Sequence, residues 1–325
     1  MYTFEDLQHI VNEALAQEEF VKEPSDLYEP IQYALDSGGK RLRPILALMA
    51  YNLFEDDIHS KIKPILGLEI FHNFTLIHDD IMDRANMRRN KPTIHNKWND
   101  NVAILSGDAM FIKAYDYLFQ YQGNNFTEVL KTFNQTALMV CEGQQYDMNF
   151  EGQDSVKEQE YLRMIELKTA VLLASGLKIG ALMADASNDD VGLLRQFGLF
   201  MGMAFQLQDD YLDAFGDAEV FGKKIGGDIA ANKKTYLFIK TLEKANEQDA
   251  KFLLNVFHSE FSGNAEEKIQ QVIAIYKKYD IHKLTREKIE AYFEKAHEAL
   301  AKVSVNPDRK KHLSGLANKL VKRKM

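Results

Sequence analysis

The sequence predicts an all-α protein. Apolar residues recur at helical spacing along nearly the whole chain, and strand-like alternation is almost absent. Apolar residues make up 46% of the 325, enough for a large core, while the 18 Gly and 6 Pro gather into no linker or low-complexity run. Length alone suggests two domains, but without a linker a single domain over 1–325 is expected. The third observation is Lys61–Arg84, which is apolar on nearly every side of a 3.6-residue wheel, from Ile62 to Ile81. A helix hydrophobic all round is buried, so this one belongs at the centre of the fold.

In chain order, the apolar spacing predicts helices over Thr3–Phe20, Asp26–Asp36, Arg43–Phe54 and Lys61–Arg84, then Asn99–Tyr121, Thr127–Phe150 and Val156–Met183. Further helices follow over Val191–Phe215, Lys233–Lys244, Asp249–Phe257, Ala265–Lys278, Arg286–Lys302 and Asp308–Lys322. Breaks fall at turn-forming residues: Ser37-Gly38-Gly39, Gly123-Asn124-Asn125, Ser187-Asn188-Asp189 and Gly226-Gly227. The Lys- and Glu-rich chain beyond about Lys240 has ordinary amphipathic spacing and reads mostly as scaffold.

The central helix ends in three carboxylates, Asp79, Asp80 and Asp83. Asp79 and Asp83, four apart, share one helix face, and Asp80 flanks them. Like charges so spaced repel, and near a core they are costly unless a cation neutralises them. A lone acidic triplet is ordinarily a solvated helix end. Here the pattern returns 130 residues on, as QLQDDYLDAF with Asp209, Asp210 and Asp213. Two copies, each capping an apolar helix, favour a cation site.

Basic residues accompany both clusters. SGGKRLRP joins a glycine pair to Lys40, Arg41 and Arg43 beside a helix start, a setting suited to an anion although equally at home in solvent. It lacks the Ser or Thr of a phosphate-binding loop. Arg88 and Arg89 follow the first cluster, and adjacent arginines in a turn point in different directions. Lys223, Lys224, Lys233 and Lys234 follow the second. Carboxylates for Mg²⁺ and cations for the remaining oxygens form the composition of a polyphosphate site. His72 precedes Asp79 by two turns and lies within about 20° of it on the wheel, so it can offer a donor there. His78 reads as a local hydrogen-bonding group. Lys168-Thr169 lies in an apolar helix, where the lysine either snorkels or enters a cavity.

The net charge of −8 argues against a nucleic-acid partner. The single cysteine, Cys141, excludes an intramolecular disulfide framework and is expected to be a small buried hydrophobe. No apolar run has the length to span a bilayer, and the N-terminal amphipathic stretch has no signal core, so a cytoplasmic protein is expected.

Taken together, GGKRLRP (38–44), HNFTLIHDDIMD (72–83), Arg88-Arg89, GQQYD (143–147), Lys168-Thr169, FQLQDDYLD (205–213) and FGKKIGGDIAANKKT (221–235) resemble the trans-type short-chain isoprenyl diphosphate synthases. The resemblance covers roughly Leu27 to Lys240, with the motifs in the family's order. It implies an isoprenoid synthase-type fold, one all-α domain with a central helix-lined cavity, usually in a homodimer. It implies three Mg²⁺ ions held by Asp79, Asp83 and Asp209, with Asp80, Asp210 and Asp213 on metal-bound waters. Arg88, Lys168 and Lys223 would grip an allylic diphosphate, with Gln206 and Thr169 near its reacting end. Lys40, Arg43, His72 and Arg89 would hold isopentenyl diphosphate. Lys233 and the basic tail Lys322-Arg323-Lys324 would close over the site.

Helix geometry places Thr75 and Phe71 nearest a product tail running back from Asp79, about 40° and 80° from it. The resemblance points instead to Thr75 and Phe74, one small and one aromatic, without an insertion in DDIMD. That combination implies C15–C20 products with C20 slightly favoured. A terpene cyclase shares the fold but usually differs in the second motif, whereas DDYLD is complete here. A non-catalytic subunit of a heteromeric synthase typically loses acidic motif residues, and all six are present. A nucleotide-binding or purely structural helical protein lacks support because no nucleotide-binding loop is seen.

Overall fold

Helices start in this chain where a side chain can take up the first unsatisfied amides. The structure, a computed structural model, describes residues 1–216, 225–258 and 263–321. In α1 (Phe4–Ala16) Thr3 and Asp6 form a reciprocal capping box. The first unit continues with α2 (Ser25–Asp36), α3 (Leu42–Asn52) and α4 (His59–Met82). A small antiparallel hairpin follows, β1 (Met87–Arg88) and β2 (Lys91–Pro92), with Met87 opposite Pro92 and Arg88 opposite Lys91. Then come the short α5 (Ile94–Lys97) and α6 (Asp100–Leu118), the latter capped by Asn99 through Val102 N–H.

The remaining helices are α7 (Phe126–Glu151), α8 (Glu158–Ile165), α9 (Val171–Met183) and α10 (Asn188–Phe215), with a π turn (Glu166–Ala170) between α8 and α9. After them come α11 (Gly227–Ala230), α12 (Tyr236–Lys244), α13 (Glu247–Phe257), α14 (Ala265–Lys278), α15 (Ile281–Lys302) and α16 (Pro307–Val321). Asn246 and Asn264 cap α13 and α14. The chain divides into two compact units, 1–134 with 175–194 and 304–313, and 135–174 with 195–303 and 314–325. Among the described residues no helix is long and apolar enough to cross a membrane.

The all-α expectation holds, and α4 is the buried central element of the first unit, with Ile65, Leu66, Leu68, Ile70 and Phe71 at most 1% exposed. It packs against α6 at small residues. A Cβ on Gly67 would lie 2.7 Å from the Ala114 carbonyl, and one on Gly107 would meet the His78 ring at 2.3 Å. Three details differ from the expectations. The predicted Val156–Met183 helix begins at Glu158 and carries the π turn in its middle. The hairpin was not foreseen, since strands of two residues are too short to alternate. Cys141 is exposed on α7, not buried, because it falls on that helix's outward stripe beside Glu142 and Gln145.

Candidate active site

In the first unit, the end of α4, the basic turn and the hairpin come together. Asp79 and Asp80 lie under Arg88, whose Nε and Nη2 each approach Asp80 Oδ1 at 2.7 Å while Nη2 stands 3.5 Å from Asp79 Oδ2. Asp80 is buried, and desolvation pushes its carboxyl above the usual range, with Arg88 opposing the shift. Asp83, at the C-terminus of the helix, is exposed. The hairpin turn explains how adjacent arginines part company. Arg89 and Asn90 both adopt positive φ (51° and 61°), the pair of left-handed residues a two-residue type I′ turn requires. Arg88 thus faces the carboxylates while Arg89 turns to the basic loop, donating from Nη1 to the Gly38 carbonyl.

The glycine pair is needed there. Gly38 and Gly39 have φ of 77° and 136°, and a Cβ on Gly39 would sit 2.9 Å from Arg89 Nη1. His72 is half-buried nearby. Desolvation first, then the field of Arg43, Arg89, Arg88 and Arg41, pushes its imidazole well below the usual histidine range. It is therefore neutral at pH 7 and can still donate one hydrogen bond. Arg43 has its Nε buried without a hydrogen-bond partner among the described residues, an atom poised for an anion's oxygen. Burial lowers its pKa to about 10, with Glu69 opposing the shift.

Below this cluster α4 presents aromatic rings. Phe71 is fully buried and its ring centre lies 5.6 Å from Phe74, 5.9 Å from Phe111 and 5.1 Å from Phe133. Phe74 packs on Phe111 at 5.2 Å and on His78 at 4.7 Å. Thr75 is half-buried and its hydroxyl donates back to the His72 carbonyl at 2.8 Å. His78 serves α4–α6 packing, with Nε2 3.2 Å from the Ile104 carbonyl.

In the second unit, the π turn adds one residue to the helical register and aims Lys168 and Thr169 at different neighbours. Lys168 Nζ meets Asp147 Oδ2 at 2.6 Å. Thr169 donates to Gln206 Oε1 at 3.0 Å, and Gln206 in turn donates to Asp210 Oδ1 at 3.2 Å. Tyr161 donates to the other oxygen of Asp210. Asp210 is buried, and desolvation, then repulsion from Asp228, pushes its carboxyl well above the usual range. Asp209 is exposed. Asp213 accepts from the Gly227 and Asp228 amides at 3.2 and 2.9 Å, anchoring the first turn of α11. Lys223 lies outside the described residues, as does the basic tail Lys322-Arg323-Lys324. Lys233 acts on Asp228 through its charge, whereas its neighbour Lys234 is buried and caps α7 through the Phe150 and Glu151 carbonyls.

A model of the polyprenyl synthetase family matches residues 24–276. The chain belongs to the polyprenyl synthetase family. It is 35% identical over 295 residues to a short chain isoprenyl diphosphate synthase of Methanothermobacter thermautotrophicus, covering 86% of this chain and 89% of that one. It is 41% identical over 232 residues to the geranylgeranyl diphosphate synthase of Methanosarcina mazei, covering 70% and 71%. A crystal structure of a geranylgeranyl pyrophosphate synthase superimposes with a TM-score of 0.94 at 42% identity, over 100% of both chains. The fold is the isoprenoid synthase fold, and the protein is a short-chain trans-prenyltransferase of the geranylgeranyl diphosphate synthase type.

Several residues of this polyprenyl synthetase were not singled out from sequence. Asp228 joins the second acidic group, and burial and the charge of Asp213 raise its carboxyl to about 6. Its signal is the GGD of the FGKKIGGDIAANKKT segment, in which the lysines and the glycine pair, but not the aspartate, are singled out from sequence. Asp147 closes the GQQYD motif but was given no role from sequence, and Tyr161 carries no local signal except its place on a helix. Gly143 of GQQYD has a packing reason: a Cβ there would lie 2.3 Å from the Lys168 amide nitrogen.

Proposed function

We propose that this synthase condenses isopentenyl diphosphate with an allylic diphosphate (dimethylallyl, geranyl or farnesyl) to give all-trans C15–C20 products, with C20 favoured. The carrying observation is the convergence, within one unit, of Asp79 and Asp80 on Arg88, of Arg89 on the glycine turn, and of Arg43, Arg88 and Arg89 around His72. That set provides hard oxygen donors beside forked cations, the chemistry a metal-bound diphosphate requires.

The donor set fits Mg²⁺. Asp210 and Asp228 have carboxyls raised by burial and then by neighbouring carboxylates, Asp228 for the first and Asp213 for the second, which a dication would relieve. Among the described residues no group of three metal-ligating side chains is gathered closely enough to hold an ion by itself. Mg²⁺ commonly takes one or two carboxylates and completes its shell with water and substrate phosphate. In this reading Asp79, Asp83 and Asp209 are the direct ligands of three ions, with Asp80, Asp210 and Asp213 one shell further out. When bound, the metal supplies electrophilic pull on the departing diphosphate.

The chain's own residues do the rest. Arg88, Lys168 and Lys223 balance the negative charge of the allylic diphosphate as its C–O bond breaks, and Lys233 closes over the site. Arg88 and Lys168 are held meanwhile by Asp80 and Asp147. Thr169 and Gln206 place their oxygens near the reacting end, while Lys40, Arg43, His72 and Arg89 orient isopentenyl diphosphate. The alkene then attacks the allylic carbon, and the proton lost from the adduct passes to pyrophosphate, so no side-chain base is needed. The aromatic rings of Phe71, Phe74 and Phe111 exclude water, which would otherwise capture the cation.

The same proposal includes one synthase domain made of both units, a cytoplasmic location in keeping with two charged substrates, and a homodimer. Leu105, Ile112 and Phe119 repeat every seven residues along α6 and just past its end, and are 59%, 63% and 48% exposed. An apolar row of that kind marks a protein-interaction surface. Sedimentation of the purified chain checks the dimer. Incubation with Mg²⁺, isopentenyl diphosphate and each allylic primer checks the activity. Pyrophosphate release that needs both substrates, with C15–C20 products, supports the reading. Release from the allylic substrate alone points to a cyclase, and no turnover points to a subunit that needs a partner.

A further inference from the structure

The basic turn contains a cation that does not face the site. Arg41 stands between Lys40 and Arg43 in sequence, yet its side chain is 5% exposed. Its backbone takes φ 51° and ψ 33°, a left-handed conformation that a non-glycine residue adopts at a cost, just where α3 begins. The reversal sends the guanidinium inward, where all three kinds of nitrogen find partners on different elements. Nη1 binds Glu69 Oε1 of α4 at 2.9 Å, Nη2 donates to the Leu35 carbonyl in the last turn of α2 at 2.6 Å, and Nε donates to Asn12 of α1 at 3.2 Å. Glu69 is 1% exposed and is itself held by Asn73, whose amide donates to Oε1 at 3.1 Å.

A buried ion pair of this kind is no more stabilising than apolar residues of the same volume. What a guanidinium fork adds is direction, because its donors lie in one plane at fixed angles. Here the fork ties the loop from Leu35 to Arg41 to the middle of α4, one turn before His72. That loop carries the Gly38 carbonyl and the glycine face that receive Arg89, and it leads directly into Arg43.

We propose that the Arg41–Glu69 pair is a positioning device that sets the basic turn, Arg43 and Arg89 against His72 for isopentenyl diphosphate. This rests on the assignment of that substrate to these residues. Arg41 acts through its neighbours and touches no substrate itself.

The test compares Arg41→Met, Glu69→Leu and the double variant with the wild type. Thermal unfolding, calorimetric affinity for isopentenyl diphosphate alone, and KM for both substrates are measured. Each single change strands a buried charge and lowers the Tm, and the double change recovers most of it. The expected signature is an isopentenyl diphosphate Kd and KM raised at least tenfold in all three variants, with the allylic KM within twofold of wild type. Recovery of isopentenyl diphosphate affinity in the double variant, or an equal rise in the allylic KM, overturns the proposal. Asn12→Ala removes only the solvent-side contact and leaves the core intact. A two- to threefold loss of isopentenyl diphosphate affinity at unchanged Tm is expected there, and no loss counts against positioning. A wild-type protein that binds no isopentenyl diphosphate defeats the substrate assignment instead.

Discussion

Replacing Gly143 by Ala tests whether α7 holds the π turn in place. The added methyl would lie 2.3 Å from the Lys168 amide nitrogen and 2.7 Å from both Leu167 C and Lys168 Cα. Those are backbone atoms, so no rotamer change can relieve the clash. Reaching ordinary van der Waals separation requires α7 and the π turn to part by about 1 Å. Overpacking of this sort costs about 1–3 kcal/mol, corresponding to a Tm lower by roughly 2–5 °C in a chain of this length. The displacement also moves Lys168, now 2.6 Å from Asp147 one turn along α7, and Thr169, now 3.0 Å from Gln206. A misplacement of 1 Å can cost up to about a hundredfold in rate. Scanning calorimetry and steady-state turnover read both effects. Gly192→Ala and Gly315→Ala are the controls: nothing lies within 4 Å of a Cβ at either helical position, so both should be neutral or slightly stabilising. If Gly143→Ala melts within a degree of wild type and turns over normally, the close approach does not constrain the site.

Under the proposed ligand assignment, Asp79→Ala and Asp209→Ala should each lower kcat by about a thousandfold or more, because the metal at the leaving diphosphate would lose a carboxylate ligand, while circular dichroism stays unchanged. Near-normal turnover in both would refute the ligand assignment. Arg88→Lys should raise the allylic KM and Arg89→Lys the isopentenyl diphosphate KM, since the hairpin aims the two forks at Asp80 and at Gly38 respectively; a shared effect on one substrate contradicts the split. Phe74→Ala should lengthen products and Thr75→Phe shorten them, as sized by chromatography. Phe71→Ala should also lengthen them but lose about 3–5 kcal/mol, because that ring is fully buried among three others. Unchanged products from all three active variants would remove α4 from length control. Asp228 has a carboxyl raised from 3.8 to about 6, so between those pH values the folded state binds more protons than the unfolded one. Stability of the metal-free enzyme from this group therefore falls as pH rises through that window. Asp228→Asn should melt above wild type at pH 7 and level with it near pH 4; a gap independent of pH would show that the group is not strained.

Much of the fold was legible because α4 and α10 join long apolar runs to acidic ends, and burial of such runs leaves few alternatives to a helix. Turn chemistry marked the end of α2 and the start of α7 to within a few residues. What escaped lay below the resolution of periodicity. The hairpin has two residues per strand, and its turn depends on Arg89 and Asn90 taking positive φ, a conformation that Asn favours but Arg does not announce. The π turn is an extra residue inside an uninterrupted apolar pattern, so the spacing around Lys168 looks like an ordinary helix. Cys141 was misjudged because cysteine composition favours burial, while its neighbours on α7 set an outward stripe.

The site residues were legible as types and not as roles, and the reason is the same at each doublet. Consecutive residues on a helix point about 100° apart, and a turn separates them further. Two identical side chains in a row therefore serve different surroundings. Asp209 is exposed while Asp210 is buried under Tyr161 and Gln206. Asp79 stands half-buried beside Asp80, which is buried and bound to Arg88. Lys40 faces solvent while Arg41 reaches Glu69, and Lys233 sits near Asp228 while Lys234 closes the end of α7. In each of these pairs the two members meet different surroundings, and the inward one bonds to neighbouring parts of the fold. Charge conservation at the inward position should accordingly matter less than geometry, which is why Arg41→Lys, although it keeps the charge, should lose most of the isopentenyl diphosphate affinity: an ammonium cannot reach Glu69, the Leu35 carbonyl and Asn12 with the planar fork that now joins them.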